Sequence, residues 1–257
     1  MVSPSPTTAL SGGFGNHTSS CSWASYNATT GVSSGPFRYG NVSRSVGDDS
    51  FSVDWNRERI KEHLGATTLI SAHQVHGDAI YCCTTMPSQD IEVEPYDAII
   101  TNVKGLAIII QQADCQALLL FDEKNGVIAG IHAGWRGNVI NIINKTVQAM
   151  STNFGSKPQH IRAYISPSLG PCCAEFVHFK DEFPESFQKF ATAKPNHFNL
   201  WEISQQQLLD TGILLQHIEI AGICTSCNRD FFSYRRACRE GDGRTGRCCS
   251  AIVLDSF

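Results

Sequence analysis

The stretch ALLLFDEKNGVIAGIHAG at residues 117–134 constrains this chain more than any other. Two short apolar runs flank Asn125-Gly126, a dipeptide that supplies the two positive φ values of a tight turn, so the spacing predicts an antiparallel hairpin. Upstream, DAIIT (97–101) and LAIIIQ (106–111) are short, β-branched and bounded by Asn102 and Gly105, which reads as two buried strands. ATTLISAHQV and AIYCC read as two more extended segments joined by a turn at His76-Gly77-Asp78. Helical patterns stand apart from these. DWNRERIKEHL (54–64) has helical polarity, Val139, Ile142, Ile143, Val147 and Met150 recur at helical spacing, and DEFPESFQKF and ISQQQLLDTGI read as helical. IRAYIS and HIEIAGIC read as strands, and an irregular Gly/Arg-rich tail follows. Residues 1–30 read as a loop-rich segment with short edge strands. Hairpin strands beside separate helices imply an α+β fold, with helices over a mixed sheet in a single domain spanning 1–257.

Charge and cysteine usage narrow the function classes. A formal net charge of -4 and the lack of a basic stripe with interleaved aromatics argue against nucleic acid as a partner. The longest apolar candidate, 106–121, is broken by Gln111, Gln112, Asp114 and Gln116, so no membrane span is expected. The first residues lack a basic region followed by an apolar core, which is not the pattern of a signal peptide. Eleven cysteines in a chain of this length then fit a reducing, cytoplasmic compartment better than a disulfide scaffold.

Three residues carry the clearest chemistry. A catalytic zinc site needs three protein donors and one open position, and neutral imidazoles and a thiolate suit it. His76 in a turn, Cys115 just after a strand and His132 at the end of the hairpin are placed to converge at one sheet edge. Their neighbours support this: His76 precedes Gly77, Cys115 follows Asp114, and His132 opens HAGWRG, where small residues permit close backbone approach.

QVHG (74–77), ADC (113–115), HAGWRG (132–137), GPC (170–172) and FFSYRR (231–236) occur in that order. Together they closely resemble the YfiH-like family, formerly called multicopper polyphenol oxidases or laccase-domain proteins. The resemblance runs from about Gly31 to Thr245–Arg247. It implies an α/β/β/α layered sandwich with mixed sheets and a zinc held by His76, Cys115 and His132. It also implies phosphorolysis of adenosine, inosine, guanosine and methylthioadenosine, so purine nucleosides and inorganic phosphate as partners, together with deamination of adenosine. Deamination suits an open zinc, which brings the pKa of bound water to roughly 7. Phosphorolysis instead requires cationic groups for phosphate, which the planar fork of arginine matches. Arg57 is the first candidate, with Arg136, Arg235 and Arg236 behind it. Asp114 is expected to orient the thiolate loop or to transfer a proton, and Gln74 to contact substrate or to fix the His76 turn.

The chain departs from the family at Gln116-Ala117, where a proline is common; without it a looser Cys115 loop is expected. Three competitors remain. His217-Ile218-Glu219 with Cys224 and Cys227 mimics a cytidine-deaminase zinc site, but Ile223 stands where proline belongs and only four residues separate Glu219 from Cys224. Cys224 and Cys227 lack a second CxxC and read as core thiols. A copper-dependent polyphenol oxidase shares the His₂Cys set, yet the nine histidines contain no H-x-H for a trinuclear cluster. Finally, Cys115 as nucleophile with His132 as base describes a cysteine hydrolase.

Overall fold

The computed structural model describes residues 8–15 and 20–255. In chain order, β1 (Thr8–Gly15) and β2 (Ser20–Tyr26) precede α1 (Ser50–Leu64). Then come β3 (Thr68–Ala72), β4 (Ile80–Cys83), β5 (Ile91–Val93), β6 (Ala98–Thr101), β7 (Leu106–Gln112), β8 (Gln116–Asp122) and β9 (Val127–Ala133). The rest is α2 (Trp135–Val139), α3 (Ile142–Phe154), β10 (Ile161–Ile165), α4 (Phe179–Glu182), α5 (Leu200–Asp210), β11 (Ile218–Ile220), α6 (Tyr234–Glu240) and β12 (Cys248–Leu254).

Two six-stranded mixed sheets form, in the orders β1-β2-β12-β7-β3-β5 and β11-β10-β8-β9-β6-β4. Strand period fixes their stacking, because alternate residues face opposite sides. Ile108, Ile110, Ile70 and Ile252 of the first sheet meet Ile99, Leu119, Phe121 and Ile128 of the second in a shared core. The opposite parity of the second sheet, Ile100, Leu118, Leu120 and Ile131, packs under Ile143, Val147 and Met150 of α3 and Leu208 of α5. On the first sheet, Ala107, Ile109, Ala251 and Val253 pack under Ile60 of α1. The result is the expected α/β/β/α sandwich. Among the described residues no helix is long and apolar enough to cross a membrane.

The β8–β9 hairpin forms as expected, paired from Gln116↔Ala133 to Asp122↔Val127. Its turn differs. Only Gly126 takes a positive φ, 61°, and the loop is four residues long, closed by Asp122, whose carboxylate accepts from the amides of Lys124 and Asn125. Residues 1–30, expected to be loop-rich, contain β1 and β2, and β2 lies between β1 and β12 inside the first sheet; residues 1–7 and 16–19 lie outside the described residues. The tail expected to be irregular contains α6 and then β12, a central strand paired on both sides. The helical expectation over 181–190 resolves into the end of α4, Phe179–Glu182, and, after Phe183-Pro184, a 3-10 stretch, Glu185–Phe190.

Strand direction sets where function can sit. β3, β5 and β7 run parallel in the first sheet, while β4, β6 and β8 share one direction in the second. The connections β3–β4, β5–β6 and β7–β8 each pass from the first sheet to the second. All three therefore cross at one end of the sandwich. β9 ends there too, because it is antiparallel to β8.

Candidate metal centre

His76 sits in the first crossing and Cys115 in the third, while His132 is the penultimate residue of β9. Donor atoms of the three lie within 4.8 Å of one another. They meet at the end of both sheets, not at the edge of one. Cys115 Sγ is 3.7 Å from His76 Nε2, and the two imidazole rings are 4.8 Å apart in an edge arrangement. Donors at the usual 2.0–2.3 Å from a tetrahedral zinc are separated by about 3.3–3.8 Å, so the spacing suits one ion.

The backbone holds this shape at a cost. His76 and Asp114 adopt φ of 62° and 86°, the left-handed region that is unfavourable for residues with a Cβ. Asp97 in the second crossing supplies the compensation. Its buried carboxylate accepts from the amides of Val75, His76 and Gly77 and from His132 Nδ1 at 2.7 Å, and its carbonyl accepts from the His132 amide. One side chain thus pins the His76 turn and leaves His132 Nε2 free to face the centre. Gly134 closes the other side: a Cβ there would lie 2.8 Å from Cys115 Sγ and 3.4 Å from the His76 ring.

Charge at the site follows from these contacts. Burial pushes the Cys115 thiol up, but the charge and hydrogen bond of His132, followed by His76, hold it at about 6 against an ordinary 9.0. Burial pulls His132 down, while Cys115 and then Asp97 raise it to about 9. Both shifts favour a thiolate–imidazolium pair beside the Asp97 carboxylate when no metal is bound. The set can bind a soft divalent metal on releasing the imidazolium proton, or serve as a nucleophile and base.

The remaining candidates separate. Asp114 is tied in place: its carboxylate accepts from Thr225 Oγ1 and the Arg235 amide, and its carbonyl from the Leu169 amide. Gln74 bonds both the amide and the carbonyl of Gln111, which fixes the His76 turn to β7. Arg57 does not reach the centre. It is 3% exposed, donates to the Val42 carbonyl and pairs with Glu92, because it lies on the face of α1 turned toward the first sheet. Arg236 is likewise occupied by the carbonyls of Thr225, Ser226, Asn228 and Phe231. Arg136 is exposed, its guanidinium 4.2 Å from the Trp135 ring. The loop expected to be loose without proline is instead tied down: Gln116 is buried and bonds the Leu200 carbonyl and Ser204 of α5.

Two residues of interest escaped the sequence reading. Asp97 carries a detectable signal, an acidic residue opening an otherwise apolar strand. Arg247, just before β12, brings a half-buried positive charge toward Cys115 and Asp114. Cys224 and Cys227, expected to be core thiols, are half-buried and exposed, respectively.

A two-sheet sandwich with a His₂Cys donor set at its crossing end defines a class of protein with a possible metal site. The sequence model described as multi-copper polyphenol oxidoreductase laccase matches residues 22–255, and the chain belongs to that family. A purine nucleoside phosphorylase of Bacteroides thetaiotaomicron is 32% identical over 245 residues, covering 87% of this chain and 88% of that protein. Among solved structures, YfiH of Bacillus licheniformis superposes with a TM-score of 0.81 at 28% identity, covering 91% of this chain and 93% of that one. YlmD of Geobacillus stearothermophilus matches with the same TM-score and identity over 92% of each chain.

Proposed function

We propose that the chain is a zinc-dependent purine nucleoside phosphorylase acting on adenosine, inosine, guanosine and methylthioadenosine, with adenosine deaminase activity. The observation that carries the reading is the convergence of His76, Cys115 and His132 over the Asp97 carboxylate, in a chain similar to proteins named purine nucleoside phosphorylase. The donor chemistry fits zinc, two imidazoles and a thiolate with a carboxylate behind one histidine. His76, Cys115 and His132 would hold the ion, and His76 keeps an exposed side through which a substrate enters. When bound, the metal supplies Lewis-acid polarisation to a purine or a water.

The protein's own groups do the rest. Asp97 fixes the His132 tautomer, so that Nδ1 carries the proton and Nε2 the lone pair. Asp114, clamped by Thr225 and Arg235, fixes the Cys115 corner. Exposed Arg136, and Arg247, which donates through Nη1 to the Thr245 and Gly246 carbonyls while its charge faces Cys115 and Asp114, serve phosphate in place of Arg57 and stabilise the anion as it attacks C1′. Incubation of the metal-replete protein with adenosine, with and without phosphate, tests the reading. Adenine with ribose 1-phosphate reports phosphorolysis and inosine reports deamination; the absence of both products refutes the reading.

One observation favours a second reading. Cys115, His132 and Asp97 also form the chain nucleophile–base–carboxylate of a cysteine hydrolase. Activity that survives chelation and is lost on thiol alkylation would select it. A copper oxidase requires further histidines beside the centre, and among the described residues the donor group holds only His76 and His132.

A further inference from the structure

A second donor group lies at the same end of the sandwich. β10 and β11 are parallel and end there, delivering the loops that carry Cys172-Cys173 and Cys224-Thr-Ser-Cys227. An isolated bridge, Ser168↔Cys224, joins the two loops. The sulfurs of Cys172, Cys173, Cys224 and Cys227 all lie within 4.8 Å of one another, and those of Cys172 and Cys173 are each 3.5 Å from Cys227. All four are free thiols.

We propose that Cys172, Cys173, Cys224 and Cys227 bind a structural zinc, separate from the His76–Cys115–His132 centre. Four sulfurs at 2.3 Å from zinc stand about 3.8 Å apart, close to the spacing these thiols already have. The surroundings are shaped for a charged cluster. The amides of Gly170 and Cys227 hydrogen-bond the Cys224 sulfur, as thiolate ligands require. Lys194 Nζ and Arg235 Nη1 bond the carbonyls of Cys172 and Cys173, each at 3.2 Å, which places two cations beside a site whose four thiolates outweigh the ion's charge. Gly170 leaves room for the assembly: a Cβ there would stand 2.9 Å from Cys224 Cβ and equally close to the Trp201 ring. No vacancy is left for a substrate among four thiolates, so the ion is a clamp.

What it clamps is the Asp114 corner. Leu169 donates to the Asp114 carbonyl from one loop, Thr225 to its carboxylate from the other, and Arg235 bridges the Asp114 carboxylate and the Cys173 carbonyl. The second ion thereby supports the residue next to Cys115 without touching substrate.

The test uses the full chain, purified reduced and without added metal, and reads zinc content and zinc X-ray absorption. In His76→Ala/Cys115→Ala, about one zinc per chain is expected to remain in a shell of sulfur alone. Adding Cys172→Ser and Cys227→Ser is expected to remove it. A cooperatively folded His76→Ala/Cys115→Ala protein without zinc overturns the proposal, as does a non-reduced mass lower by two hydrogens that maps to these cysteines. Wild type decides if the variants fail to fold: about two zinc ions per chain support the second site, and one in a mixed nitrogen–sulfur shell refutes it. Because this readout is metal and not turnover, failure of the phosphorylase reading leaves it standing.

Discussion

The two donor groups share one end of the sandwich, yet they obtain their geometry from different sources. His76, Cys115 and His132 stand on strand ends and sheet crossings, with Asp97 holding two of the three segments through side-chain and main-chain hydrogen bonds. Cys172, Cys173, Cys224 and Cys227 stand on loops joined by one isolated bridge. The first group is shaped by the backbone before any ligand arrives and keeps an exposed side; in our proposal the second is shaped by its ion and is closed. The difference teaches that an open site has to bring its own rigidity, because a ligand that comes and goes cannot supply it.

The largest expected effect is from Cys115→Ala, which removes the thiolate: nucleoside turnover is expected to vanish and the metal of the open centre to be lost, measured by product formation and metal analysis. Retained turnover with a full metal complement would erase the distinction between the two groups. Asp97→Asn keeps the shape but weakens the carboxylate contacts; a drop of about 10–100-fold in metal affinity or activity is expected. An unchanged affinity in a metal titration would mean that the open centre is not held by its carboxylate.

In metal-stripped protein, alkylation of Cys115 is expected to titrate at about 6, against an ordinary 9.0. The sign follows from a depressed thiol: the reactive thiolate is present above that value and disappears as pH falls through it. A midpoint near 9 would show that His132 does not charge the open centre. The smallest effect on chemistry is expected from Arg57→Met. Stability falls by about 1–3 kcal/mol, because Glu92 loses a charged partner, while the phosphate KM stays unchanged. A raised KM would return Arg57 to the site.

Much of the fold was legible because strands announce themselves by short β-branched runs. The hairpin of residues 117–134 and the buried strand at 106–112 appear where the pattern placed them. β12 was missed because Arg and Gly residues precede it, although CCSAIVL is apolar but for Ser250. The donor triad was legible from residue types, and the motifs gave it context. Asp97 stood out only as an acidic residue opening an apolar strand; its partners were hidden, since they depend on β6 pairing with β9, which brings its main chain to the His132 amide. The cysteine group was hidden for the same reason: it joins loops more than fifty residues apart through the parallel pairing of β10 with β11. The burial of Arg57 against the first sheet was not legible, because a guanidinium on a helix gives no sign of which face it occupies.

The three sheet crossings carry one more implication. His76, Asp97 and Cys115 each lie on a segment with one foot in each sheet, so the centre spans the joint between two stacked plates. Any sideways slip of one plate over the other changes the separation of the donors directly. A bound ion would therefore act as a rivet across that joint, and the affinity of the three donors for it would report strain in the inter-sheet core. Trimming Phe121 or Ile108, deep between the plates, is expected to register at the centre as a weaker metal affinity in a titration, although neither side chain belongs to it.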